Sequence, residues 1–244
     1  MVCMPGRRAM RPCIPHRMPL AYNRSRLSVA FQESAVIVDI LTPEHPEREL
    51  ANARIAAVYR RAYGARLEQF MPNLMRVAED DGSFRAVLGI RSAESGPLFL
   101  EAYLDEPMEQ AIAARAGQAV KRDEIVEIGN LAESKPGDAR LGIISATMYL
   151  HTMGFRWVAL TVVPQLVNSF KRLGIELVDL APADPMRLPE EERGAWGSYY
   201  DTNPMVCYAD IAAGFASLCE FDATWLGARK LAEQELQSWD NRSL

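Results

Sequence analysis

Histidine is scarce in this sequence: His16, His45 and His151 are the only three in 244 residues. They form no H-x-x-x-H pair, and with Cys3, Cys13, Cys207 and Cys219 they give no zinc-ligand spacing. No metal is therefore expected. The cysteines lack C-x-x-C spacing and read as reduced thiols of a cytoplasmic protein. A G-x-S-x-G elbow is missing, which argues against a hydrolase triad. Neither G-x-G-x-x-G nor a Walker A sequence is present. No apolar run approaches the roughly 18–20 residues that cross a bilayer as a helix, so no transmembrane segment is expected. The longest, near Trp157–Pro164, reads as a buried strand.

Charge is unevenly spread. Residues 1–26 hold six arginines, four prolines and no acid. The remainder is acidic, which argues against nucleic acid as a partner. The first thirty residues read as a basic, disordered and dispensable extension. No apolar stretch follows the arginines, so a secretory signal is not expected. Met18 is a plausible alternative initiator. The body is long enough for one sizeable core.

Periodicity assigns a strand to Ala35–Leu41 and a helix after Pro46, with Ala51, Ile55, Val58, Tyr59 and Ala62 as its apolar stripe. The arginines of that helix, Arg48 and Arg54 among them, read as a solvated face. Leu74–Glu79 and Phe84–Arg91 form a hairpin around Asp80-Asp81-Gly82. Pro97–Leu104 reads as a strand or extended arm, and Pro107–Gly117 as a short helix.

The richest stretch runs from Glu124 to Gly174. Ile125–Ala132 is a strand, Glu133–Ala139 a polar loop and Arg140–Met153 a helix. Phe155–Val163 is a second strand and Gln165–Leu173 a second helix. A carboxylate and an amide, Glu127 and Asn130, are read together on one side of the first strand. A half-exposed strand with solvated polar residues fits the pattern as well. A glycine-bearing loop feeding a helix start offers N–H groups to an anion. Gly137 would permit close approach and Arg140 would add a fixed charge. An ordinary turn is the other reading of that loop. Past it come a strand Glu176–Ala181, a long polar connection ending in Trp196-Gly197-Ser198-Tyr199-Tyr200, a closing strand Met205–Ile211 and an amphipathic helix Asp222–Trp239. The cluster Trp196, Tyr199 and Tyr200 fits a substrate pocket or plain core packing.

In combination several segments resemble the thermostable hemolysin family, a group related to GNAT acyltransferases and acyl-homoserine-lactone synthases. They are Phe99-Leu100-Glu101-Ala102-Tyr103-Leu104, Pro107, Glu109-Gln110-Ala111, Ile125 to Ala132, Gly154-Phe155, Asn168-Ser169-Phe170, Arg172-Leu173-Gly174, Ala183-Asp184-Pro185, Trp196-Gly197, Tyr199-Tyr200 and Pro204. The resemblance spans roughly residues 35 to 215. It implies an α/β (α+β) fold, a mixed and mostly antiparallel GNAT-like sheet splayed at the cofactor site and flanked by helices. That domain would cover residues 31–215, with a helix in 216–244 packing on it or on a partner.

The resemblance also implies a reaction: transfer of an acyl group from a coenzyme A or acyl-carrier-protein thioester to a small-molecule amine. Glu127 matches the carboxylate of the synthase pattern W-E-[LI]-S-R-[FL]-A and would act as base, its pKa raised by burial. Asn130 stands where that pattern has Arg. Leu131, Ala132, Asn168 and Phe170 would contact the donor, Phe170 in place of the usual GNAT tyrosine. The loop Ser134–Gly142, with Ser134, Gly137, Arg140 and Gly142, would hold the pyrophosphate or phosphopantetheine. A membrane-active lysin and a non-catalytic GNAT-fold binding protein are the alternatives.

Overall fold

The computed structural model describes residues 26–31 and 34–221. Eight strands form one sheet, in the order β1-β2-β3-β4-β5-β6-β8-β7. They are β1 Arg26–Phe31, β2 Ser34–Leu41, β3 Asn73–Glu79, β4 Phe84–Ser92, β5 Ile125–Glu133, β6 Trp157–Val162, β7 Val178–Pro182 and β8 Met205–Asp210. All neighbours run antiparallel except β5 and β6. A parallel pair needs a crossover, and helix α3, Asp138–Thr152, supplies it.

Helices cover both faces. Alternation along each strand sends one set of side chains to each side. Met75, Leu88 and Val126 meet Ile143 and Leu150 of α3, Phe170 of α4 (Pro164–Arg172) and Leu218 of α6 (Ile211–Phe221). Leu74 and Val87 face the other way, onto Ile55 and Tyr59 of α1 (Arg48–Tyr63). On that same side Ile125 and Trp157 pack on Met108 and Ile112 of α2 (Met108–Ala116). With both faces covered, Ala86–Ile90 of β4 is buried without a break.

Several readings need correction. The extension assigned to residues 1–30 ends too late, because Arg26–Phe31 pairs with β2. Pro97–Leu104 is no strand; Phe99–Tyr103 winds into a 3-10 turn. A helix not expected there, α6, follows β8 directly at Ile211, where the Asp210 carboxylate accepts the Ala213 N–H at 3.0 Å as a cap. The helix placed at Asp222–Trp239 lies outside the described residues. Arg48 is buried rather than solvated and donates to the Leu41 and Pro72 carbonyls at 3.0 and 2.9 Å, fixing the segment before β3.

Candidate active site

Strands β5 and β6 pair only over Ile125–Ile128 and Trp157–Leu160. Past Ile128 they separate. The cause is local: between Gly129 and Ala132, β5 carries one residue more than β4 opposite, and Asn130 sits at φ 52. This is a β-bulge, which bends its strand and redirects side chains. Asn is among the few residues that accept a left-handed backbone. Residues three apart lie on opposite faces of a regular strand, so alternation alone does not unite Glu127 with Asn130. The bulge does, and both line the same cavity.

That cavity, about 930 Å3, passes through the split in the sheet. On the α1 side it meets an aromatic wall of Tyr59, Tyr63, Phe99, Tyr103, Trp196 and Tyr199. On the α3 side it is apolar, bounded by Leu131, Ile143, Leu160, Phe170, Ile175 and Gly214.

Glu127 sits at the junction and is fully buried. Its two carboxylate oxygens accept the Phe99 and Leu100 N–H groups at 3.0 and 3.2 Å. Those donors belong to the 3-10 turn, which is held by a second carboxylate. Glu101 accepts the Leu98 and Met108 N–H groups at 2.9 Å each and pairs with Arg122. Burial pushes Glu127 up to about 7; the Phe99 N–H, Arg91 and the Leu100 N–H pull it back, and Glu101 raises it. Tyr103, on the same turn, has its hydroxyl 2.5 Å from that of Tyr200, and burial raises both phenols.

The raised Glu127 makes a stability prediction. The folded protein holds this proton above the ordinary carboxylate value of 4.5, so the group favours folding fully below that value. The contribution is lost as pH rises through about 7. The loss amounts to on the order of 3 kcal/mol. Thermal melts of wild type and Glu127→Gln across that window check it: wild type should weaken relative to the variant as pH rises. Parallel curves would show an unperturbed carboxyl.

The other expected site residues divide. Leu131, Phe170, Trp196 and Tyr199 line the cavity with Glu127 and Asn130. Ala132 faces α1 in the core instead. Tyr200 reaches the site through Tyr103. Gly142 is a packing residue: a Cβ there would lie 3.2 Å from Ala86 and Leu131, so its absence lets α3 approach the sheet. Asn168 and Arg140 are exposed and lie off the cavity. Ser134 spends its hydroxyl on the Phe84 carbonyl and accepts from Arg54 at 2.5 Å. Gly137 adopts φ 98 immediately before α3, where a side chain would be strained. Phe99, Tyr103 and Glu133 are cavity residues that carried no expected role; Phe99 and Tyr103 lie in the quoted segment 99–104.

The aromatic wall is assembled across the chain. The Ser198 N–H donates to the Tyr63 carbonyl at 2.8 Å, and the Arg66 N–H to the Ala195 carbonyl at 2.6 Å. Trp196 and Tyr199 thereby pack on Tyr59 and Tyr63, with ring centroids 5.2–6.2 Å apart.

A mostly antiparallel sheet split beside one parallel pair, with helices on both faces, is the GNAT-like acyltransferase fold. Within it, the chain belongs to the thermostable hemolysin family, whose model matches residues 41–215. Among solved structures, FeeM, an N-acyl amino acid synthase from uncultured soil microbes, superposes with a TM-score of 0.51 at 13% identity, over 78% of this chain and 98% of that one. The AHL synthase LasI gives 0.49 at 14% identity, over 73% and 91%. Comparison with curated proteins gives no match. Among the described residues no helix is long and apolar enough to cross a membrane, and no three His, Cys, Asp or Glu side chains gather as a metal site.

Proposed function

We propose that this chain is an N-acyltransferase that moves an acyl group from a coenzyme A or carrier-protein thioester to a small-molecule amine. The observation that carries this reading is Glu127, a buried carboxylate of raised pKa at the point where a cavity passes between two diverging strands. The pantetheine arm would lie along the unpaired edge of β5 past Ile128, taking its backbone groups as an added strand does. The apolar lobe under α3 suits the acyl chain, and the aromatic side suits the amine acceptor. Glu127 would accept a proton from the amine as its nitrogen attacks the thioester carbonyl. The C–N bond forms, the C–S bond breaks, and the sulfur leaves to be protonated as the free thiol.

Two outcomes test this. Incubation with acyl thioesters and a panel of amino acids and amines should yield an amide by mass spectrometry and an equal amount of thiol. The rate should rise with pH through about 7, because only ionised Glu127 accepts the proton. A rate independent of pH across that range would remove Glu127 as base. Chain length should respond to the lobe's far end. A Cβ at Gly214 would sit 3.5 Å from Ile175, so Gly214→Leu intrudes where the chain ends. Longer acyl donors should lose roughly tenfold in kcat/KM relative to acetyl, about one to two buried methylenes' worth. Equal loss for all donors would assign the lobe to core packing.

A further inference from the structure

The entry to α3 is already occupied by the protein's own carboxylates. Glu133, the last residue of β5, accepts the Ala139 N–H at 2.9 Å. Asp138 accepts the Lys135 N–H at 3.1 Å and binds the Arg85 guanidinium at 2.7 and 2.9 Å. Arg85 is shared with Glu79 at 2.8 Å, so its charge is spent internally. The Ser134 N–H donates to the Arg85 carbonyl, and the Asp138 and Arg140 N–H groups donate to the Lys135 and Gly137 carbonyls. Pro136 has no N–H. Gly137 is thus the one N–H from Ser134 to Arg140 without such a partner among the described residues.

Glu133 and Ala139 also line the cavity. Glu133 lies six residue steps along β5 from Glu127, roughly 20 Å. A donor whose thioester lies at Glu127 and whose arm follows β5 therefore brings its phosphate end to Glu133. There it meets a carboxylate and a helix dipole that this carboxylate already offsets, while the turn's cations, Lys135 and Arg140, are exposed where solvent screens them. Coenzyme A would bring a diphosphate and a ribose phosphate to that point. The same arm on a carrier protein brings one phosphodiester.

We infer that the donor is a phosphopantetheine thioester recognised through its arm and acyl chain and delivered on a carrier protein. Glu133 is the residue that denies α3 to the diphosphate of coenzyme A. This rests on the acyltransferase reading above and names its donor.

The test titrates the full chain with octanoyl-pantetheine, octanoyl-coenzyme A and an octanoyl-loaded acyl carrier protein. In wild type the first two should bind within about threefold of each other, since the diphosphate adds nothing, and the carrier protein should support faster turnover than coenzyme A. Glu133→Gln keeps the shape of the cap but removes its charge. It should strengthen octanoyl-coenzyme A by about fivefold to tenfold and leave octanoyl-pantetheine unchanged. Coenzyme A binding tenfold or more tightly than pantetheine in wild type would overturn the inference and leave the acyltransferase reading standing. This comparison needs no variant, so a poorly folding Glu133→Gln does not blunt it. No binding and no turnover with any of the three would overturn both.

Discussion

Glu127→Gln is expected to lower turnover by roughly two to four orders of magnitude, the range over which general bases act. The amide keeps the shape of the side chain but cannot accept the amine's proton. Donor affinity should hold within about threefold, because the proposed pose binds the thioester through β5 backbone and the apolar lobe, so kcat should fall and KM should not. One cost is local. Glu127 receives two N–H groups, from Phe99 and Leu100, and an amide can accept only on its oxygen. Losing one such bond costs about 1–2 kcal/mol. Against this, at pH 8 the variant no longer buries a charge. The variant should therefore melt slightly above wild type at pH 8 and below it at pH 5. Full activity in a folded variant would take Glu127 out of the mechanism.

Gly197→Ala is expected to be the most damaging small substitution in the aromatic wall. Gly197 has φ 56 and ψ −128, a region nearly closed to side chains. A Cβ there would lie 2.0 Å from the Tyr63 carbonyl oxygen, the atom that accepts the Ser198 N–H. The segment carrying Trp196, Tyr199 and Tyr200 must lift from α1 to relieve it. The cost should be on the order of 3 kcal/mol or more, roughly a 10 °C drop in a domain of this size. Gly64→Ala is the control. It shares a positive φ, 67, but a Cβ there meets nothing within 4 Å. It should cost only about 1–2 kcal/mol of backbone strain. Equal melting temperatures for the two variants would mean that the Trp196–Tyr200 segment does not depend on its seat at Tyr63.

What could be read in advance was whatever depended on local pattern. Apolar alternation located β2 to β8 within two residues at most ends, and Asp80-Asp81-Gly82 marked its hairpin. The strand-loop-helix after Glu124 was readable for the same reason. Glu127 stood out because it falls on the polar side of an alternating strand and matches the carboxylate of the synthase pattern. The misses depended on distant partners. Nothing near Phe99 says that Glu101 will gather the Leu98 and Met108 N–H groups and Arg122, which is what winds 99–103 into a turn. The bulge at Asn130 follows from register against β4, a property of two strands. Glu133 was read as the first residue of a polar loop, although its carboxylate caps α3. Arg140, attractive as a fixed charge at a helix start, faces solvent because α3 begins two residues earlier than its apolar pattern suggests. β1 was hidden in a basic stretch whose composition speaks for disorder, though its backbone pairs with β2.

Acyl transfer to an amine in the cavity at Glu127 has a direct chemical readout. It is tested most directly by supplying purified protein with an octanoyl thioester, on pantetheine and on carrier protein, together with a mixture of amino acids and amines. Mass spectrometry of the products, with titration of released thiol, is the readout. Wild type is expected to form an octanoyl amide in amounts matching the thiol, and Glu127→Gln to lose it. Thiol release without amide, or no release while the same preparation lyses red cells, would contradict this expectation.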